Sequence, residues 1–400
     1  MTIQFPATSE TFATNEVRML SLHGVTISVH GLRRRHPDAD RLLEERGLPS
    51  LHITHNGVTA SMRGMVAALK RPVLSLRALG WILRTNRGRT TDLLTSVALL
   101  PRAFDILADL ERLQPDVVHM YWGHYPTIVG WLVQRRLPQA VTSMSIVAYD
   151  LVREYAGAVD VATGADVVRT HAIVNRPHVA RFTGLPPERI EVIYNGVDVD
   201  WVQGICAKHA KVPRRIVTTG RLIEQKGMDD VLEAFAAVFE RWPEATLVVV
   251  GDGPDRERLV SMSAALGLRD AVTFLGHVAH ERVVEEMSKA EVFVLMSRYA
   301  GERLPNVVKE AMASRCVCIT SPTPGIEELV DDSVTGFVTP SADPATLSAL
   351  VDRVFAGSVD AASMAERASA HVARHFDLAR TAPTYERLWR AAARRAAHSA

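Results

Sequence analysis

The sequence predicts an α/β fold built as two doubly wound domains facing a central cleft. Its 400 residues, 47% of them hydrophobic, fill two cores of ordinary size and are too many for one. In the second half, short β-branched runs alternate with helical patterns, each pair separated by turn residues, as a parallel sheet requires. The first half repeats the alternation less regularly.

Strands are expected over 216–219, 246–250, 272–275, 292–296, 317–320 and 336–338, with helices over 228–241, 255–266, 280–290, 306–314 and 342–355 between them. First-half strands are expected over 25–29, 51–54, 117–120, 140–145, 167–170 and 190–194. Residues 204–213 are polar and basic with Gly204 and Pro213 at their ends, which marks a linker between domains 1–203 and 214–372. Residues 373–400, with Tyr385, Leu388 and Trp389, read as a terminal helix that packs back toward the first domain. Ligands of open α/β sheets sit outside the carboxyl ends of the strands, so the cleft is the expected site.

Composition narrows the function. With 46 basic against 45 acidic residues the net charge is +1, and no global field favours nucleic acid. The three cysteines, Cys206, Cys316 and Cys318, suit a reducing compartment, and the last two read as buried strand thiols rather than metal ligands. The start of the chain lacks a basic segment followed by an apolar one, and no window approaches the roughly 18 to 20 apolar residues of a membrane span. A cytoplasmic protein is expected. Between residues 63 and 102, Arg63, Lys70, Arg71, Arg77, Arg84, Arg87, Arg89 and Arg102 face the single acid Asp92 amid Leu, Val and Trp81. That pattern fits a solvated helix face and a peripheral contact with the inner face of an anionic membrane equally well.

The strongest chemical signal follows the strand over 216–219: Gly220-Arg221-Leu222-Ile223-Glu224-Gln225-Lys226-Gly227. Glycine lets the backbone approach a ligand, and Arg and Lys supply charge for a diphosphate that leaves without a metal. Alone, the segment equally fits a solvated basic loop. A second piece runs Gly301-Glu302-Arg303-Leu304-Pro305-Asn306-Val307-Val308-Lys309-Glu310. Pro305 suits a first helical turn, and Val307, Val308, Ala311 and Met312 form a stripe to be buried. Glu302 therefore falls in a loop and Glu310 within a helix whose free N–H groups suit phosphate. Each Glu also has a plain electrostatic role near a helix start.

Together these segments resemble glycosyltransferase family 4, whose members have the GT-B fold of two Rossmann-like domains and usually retain anomeric configuration. Gly251-Asp252-Gly253-Pro254, Phe274-x-Gly276, Asn195-Gly196-Val197-Asp198 and Gly325 followed by Glu327 and Glu328 are similar to further landmarks of that family. The resemblance implies that Arg221 and Lys226 bind phosphates, Glu310 the ribose, and Glu302 the transferred sugar near its reacting carbon. Gly220, Gly253, Leu304, Pro305, Asn306 and Val307 would complete the donor site, and the nucleobase would lie near His277 and Val278. It implies a retaining, metal-independent transfer of a hexosyl, deoxyhexosyl or pentosyl group from a UDP- or GDP-sugar to a glycan, lipid-linked or small-molecule acceptor, with no cofactor. Asp198-Val199-Asp200 spells a metal-binding pattern, but its place in the Asn-Gly-Val-Asp segment favours a structural turn.

In the first half, Pro6 to Phe12 and Gly24-Val25-Thr26-Ile27 resemble the opening of members that build exopolysaccharides and surface glycans, here preceded by a short first strand. Ser9 and Glu10 would face the cleft, or equally cap a helix. Further on, Val118 to Pro126 and Ser145 to Asp150 gather polar and aromatic groups at strand ends. The family pattern His-Ala-x-Asp places a His where this chain has Val147, followed by Tyr149 and the matching Asp150. Neither His119 nor His124 takes that role on spacing, and a lone His beside aromatics is more often packed. In the family that the sequence resembles, that His approaches the C6 hydroxyl of a hexose, so the resemblance implies that Val147 in its place suits a donor lacking that hydroxyl, a 6-deoxyhexose or a pentose. Alternatives sharing the fold are an epimerase or phosphorylase, and a silent binding partner of another transferase.

Overall fold

The computed structural model describes residues 1–7, 11–48, 51–299 and 301–399. Ser9 and Glu10 lie outside the described residues. The chain forms two compact units, Met1–Tyr194 with Thr381–Ala400, and Asn195–Arg380.

The first unit holds strands β1 (Ser28–His30), β2 (His52–Thr54), β3 (Val117–Met120), β4 (Val141–Ser145), β5 (Val167–Thr170) and β6 (Ile190–Val192). Strands β3 to β6 pair in parallel in that order, and β1 pairs in parallel with β2. Residues 1–3 bridge the two sets: Thr2 N donates to His30 O at 3.1 Å, and Tyr121 N to Met1 O at 2.8 Å. The strand expected over 25–29 starts only at Ser28, because Val25 N is spent on Leu20 O at 3.0 Å in closing the helix Thr11–Leu22. Every residue of β4 and β5 is buried, as expected of parallel strands covered on both faces. The basic stretch folds as three helices, Val58–Leu69, Pro72–Thr85 and Thr90–Leu113.

A buried polar knot closes this unit. Arg169 on β5 is 1% exposed; its Nε donates to Ser145 Oγ at 2.7 Å and its Nη1 to Ile193 O at 3.1 Å. Its Nη2 lies 3.7 Å from the Glu16 carboxylate, which accepts from the hydroxyls of Tyr121 at 2.8 Å and Tyr385 at 3.2 Å. Trp389 Nε1 donates to Ser143 Oγ at 2.9 Å, so the helix Leu378–Ser399 is fastened to the sheet of the first unit. His119 belongs to the same core: its ring nitrogens meet Ser143 and Ser145, and burial beside Arg169 holds its pKa well below the usual value. It is a packed, neutral histidine.

The second unit contains β7 (Arg215–Thr219), β8 (Thr246–Val250), β9 (Val272–Gly276), β10 (Val292–Leu295), β11 (Val317–Thr320) and β12 (Phe337–Val338). All are parallel, in the order β12-β11-β10-β7-β8-β9. The sequence order reverses between β7 and β10, which opens a crevice at their carboxyl ends. The linker expected over 204–213 is displaced: Gly204 to Cys206 finish the helix Val199–Cys206, whose Val199, Val202 and Ile205 are buried in this unit. Asp198 accepts from Trp201 N at 3.0 Å, so the Asp-x-Asp pattern is a helix cap. At the far end, a helix Ala361–His375 precedes Leu378–Ser399; Val197 N donates to Phe376 O and Leu378 N to Val197 O, which separates the two helices. Cys206, Cys316 and Cys318 are free thiols, and burial raises the pKa of the last two. No helix among the described residues is long and apolar enough to cross a membrane.

The Arg169 knot gives a stability test. Arg169→Met leaves Glu16 buried without its cation and is expected to cost about 3–5 kcal/mol, the range for breaking a buried ion pair from one side. Urea unfolding followed by tryptophan fluorescence should show the loss in the first unit.

Candidate active site

The site of the second unit is assembled by backbone contacts that only glycine allows. The loops leaving β7 and β8 lie directly on each other: a Cβ at Gly251 would sit 1.9 Å from Gly220 O, and one at Gly253 2.3 Å from Leu222 O. Gly220 N donates to Val250 O at 3.0 Å and Leu222 N to Asp252 O at 2.9 Å, completing the crossing. Gly227, at φ +62°, brings the β7 loop against the chain leaving β10, where a Cβ would meet Met296 O at 2.0 Å. Arg298 N donates to Gln225 O at 2.8 Å and the Arg298 guanidinium pairs with Asp230 at 2.5 Å.

These contacts bring together two expected residues that are 76 positions apart. Lys226 Nζ lies 2.5 Å from Glu302 Oε1, with both side chains largely buried. Arg221 is exposed on the same loop, and its guanidinium has no hydrogen-bond or ion-pair partner among the described residues. The loop from Glu302 to the helix Asn306–Ala313 is strained: Leu304 holds φ +49° with its side chain buried. Backbone strain of this kind persists where surrounding structure imposes it, commonly at functional sites. Arg303 follows Glu302 directly; its Nε and Nη1 are buried without a hydrogen-bond partner among the described residues, and desolvation lowers its pKa. Glu302 Oε2 is likewise unmatched. Buried groups of this kind are costly unless something meets them.

The second carboxylate has a different partner. Glu310 Oε1 lies 2.9 Å from His280 Nε2, and the His280 ring packs on Trp201 with centroids 4.8 Å apart. Pro305 caps the helix Asn306–Ala313, which is anchored by Lys309, a fully buried lysine whose Nζ donates to Asn195 O at 2.8 Å and Asn306 Oδ1 at 3.0 Å. Val307, expected in the buried stripe, is only half-buried, because Val308, Lys309, Ala311 and Met312 occupy the inward face. His277 is exposed and Val278 half-buried on the loop after β9. Sequence reasoning missed His280, Arg303 and Lys309. Nothing in residue type separates them from solvated charges; only burial and partners do.

In the first unit, four expected residues meet at the carboxyl ends of β3 and β4. His124 Nδ1 lies 2.8 Å from Asp150 Oδ1, and Asp150 Oδ2 accepts from Val147 N at 3.0 Å. Gly123 leaves the room, since a Cβ there would lie 3.1 Å from Asp150 Cγ. The His124 ring packs on Trp122 and on Tyr149, at 5.8 and 5.5 Å between centroids. His124, Val147 and Asp150 are buried, while Tyr149 is 45% exposed.

Residues 207–371 match the family model described as glycosyl transferases group 1, so the second unit carries a group 1 glycosyltransferase domain, the domain of a transferase enzyme. The chain as a whole has the GT-B fold: it superposes on Anabaena HepE in complex with UDP with a TM-score of 0.71 at 16% identity, covering 96% of this chain and 97% of that one. Among individual proteins it is 30% identical over 212 residues to an alpha-D-kanosaminyltransferase of Streptomyces kanamyceticus, covering 51% of this chain. That match spans only about half of the relative's own length, 54%. It is 24% identical over 407 residues to the amylovoran biosynthesis glycosyltransferase AmsK of Erwinia amylovora, covering 94% of this chain and 95% of that one.

Gly227→Ala tests the loop assembly. A side chain at positive φ costs roughly 1–2 kcal/mol and overpacking about 1–3 more, so calorimetry should show the second unit melting earlier by the equivalent of about 2–5 kcal/mol.

Proposed function

We propose that this protein is a retaining, metal-independent glycosyltransferase that moves a sugar from a UDP- or GDP-sugar to a glycan, lipid-linked or small-molecule acceptor in the cytoplasm. The observation that carries the reading is the Lys226–Glu302 pair at the crevice between β7 and β10. An arriving diphosphate competes with Glu302 for the ammonium of Lys226. Once Lys226 turns to phosphate, Glu302 is free to accept hydrogen bonds from the donor sugar near its reacting carbon. Arg221 adds a second cation on the same loop and Arg303 a third beside Glu302, so charge developing on the leaving diphosphate is met without a metal. Glu310, oriented by His280, serves the ribose, and the backbone after β9 around His277 and Val278 receives the base. The complex of Anabaena HepE with UDP supports a nucleotide-sugar donor, and the role of AmsK in amylovoran biosynthesis supports a glycan acceptor.

The test is kinetic. Lys226→Ala should lower kcat by about a hundredfold or more, the scale of losing one electrostatic donor in a closed site, and activity should persist in excess chelator. Glu302→Gln should depress kcat, whereas Glu310→Gln should chiefly raise the donor KM. Equal effects on both parameters, a strict requirement for a divalent metal, or inversion at the anomeric carbon by NMR of the product would overturn the assignment.

In the family that the sequence resembles, a His at the position of Val147 meets the C6 hydroxyl of the donor sugar. Here that position holds an apolar side chain, and His124 Nδ1 is already engaged by Asp150. We assign the sugar to those lacking a C6 hydroxyl, a 6-deoxyhexose or a pentose, since a buried hydroxyl without a partner costs about 1–3 kcal/mol. Matched donors differing only at C6 should be discriminated about tenfold in kcat/KM in favour of the deoxy form, and Val147→His should reverse the preference.

A further inference from the structure

The helix Val58–Leu69 inverts the usual distribution of side chains. Its small residues Ala60, Gly64 and Ala67 are buried, and Gly64 lies so close to the helix Thr90–Leu113 that an added Cβ would be 1.7 Å from Pro101 O. Its large apolar residues are turned outward: Val58, Met62, Met65, Val66 and Leu69 are each more than half exposed, Leu69 at 74%. The next helix, Pro72–Thr85, buries Ala78, Trp81 and Ile82 but leaves Val73, Leu76 and Leu83 exposed, Leu76 at 70%. A groove of about 500 Å³ between Arg34 and the side chains of Val58, Met62, Met65 and Val66 lies along the first of these helices. An apolar face of this extent marks a contact surface rather than scattered exposure.

Charge identifies the occupant. Residues 56–91 contain seven Lys or Arg and no Asp or Glu. Four of the seven are engaged: Arg63 with Asp105, Arg71 with Glu111, Arg84 with Asp160, and Arg89 with the carbonyls of Arg153 and Glu154. Lys70, Arg77 and Arg87 are exposed, and their side-chain charges have no hydrogen-bond or ion-pair partner among the described residues. A second copy of this surface would set cations against cations, whereas an anionic bilayer offers an apolar interior beneath a negative plane.

The geometry points to a peripheral docking surface for anionic phospholipid membranes. Met62, Met65, Leu69, Val73 and Leu76 enter the boundary between headgroups and acyl chains, and Lys70, Arg77 and Arg87 meet the lipid phosphates. This surface belongs to the first unit alone and does not depend on the transfer chemistry, so its failure and that of the proposed reaction are separable.

The experiment is sedimentation of the purified full chain with vesicles of phosphatidylcholine alone and of phosphatidylcholine mixed with phosphatidylglycerol. The wild type should bind the mixed vesicles, bind pure phosphatidylcholine far more weakly, and dissociate as salt is raised. Combined Lys70→Glu, Arg77→Glu and Arg87→Glu should lower partitioning onto the anionic vesicles on the order of a hundredfold. Combined Met62→Ser, Met65→Ser and Leu69→Ser should lower it at least about tenfold. All six positions are exposed, so unchanged circular dichroism and melting temperature would show that both variants fold. No binding by the wild type, binding unchanged in both folded variants, or binding indifferent to phosphatidylglycerol would overturn the proposal. So would a concentration-dependent dimer abolished by the serine variant, which would make the face a contact between copies.

Discussion

The site in the second unit depends on the absence of side chains at three backbone crossings. Strand exits in a parallel sheet are separated laterally by the strand spacing, and side chains normally hold their loops apart. Here Gly251 and Gly253 let the β8 loop settle on Gly220 and Leu222, and Gly227 lets the β7 loop touch the carbonyl of Met296. Removing those volumes is what places an ammonium from one loop 2.5 Å from a carboxylate of another. The glycines determine whether these charged residues meet.

Each candidate carboxylate is held by a neighbouring group in the unliganded protein. Glu302 is matched by Lys226, Glu310 by His280, and Asp150 by His124 and the amide of Val147. Such pairing fixes rotamers before any ligand arrives, and the reorganisation then needed is the exchange of one partner for another rather than the ordering of a free side chain. Leu304 and Arg303 sit between these fixed points, one with a strained backbone and the other with buried nitrogens that meet no hydrogen-bond partner among the described residues. Conformational and desolvation cost is thus concentrated in the loop that separates the two glutamates.

Much of the second unit was legible in the sequence, because strands buried on both faces leave uninterrupted β-branched runs and their helices carry a strong period. Thr246–Val250 and Val317–Thr320 are such runs. The candidate donor residues were legible by type and spacing, yet the Lys226–Glu302 contact was not, since it follows from β10 lying beside β7, a property of strand order rather than of local pattern. Lys309 shows the limit most plainly: in a helical repeat it reads as a solvated cation, whereas in the fold it is buried and reaches the carbonyl of Asn195 and the side chain of Asn306. The segment 204–206 was misplaced for the opposite reason. Its Gly and polar neighbours resemble a linker, but Asp198 starts a helix that carries Ile205 into a core.

The Arg169 knot also bears on how the polypeptide matures. The first unit is discontinuous in sequence, since Tyr385 and Trp389 complete a core otherwise made of residues before 195. During synthesis, which runs from the amino end, the sheet β3 to β6 emerges with Arg169 and Glu16 before Tyr385, whose hydroxyl donates to Glu16. All of the second unit is therefore synthesised before the stretch of the last helix that completes the first.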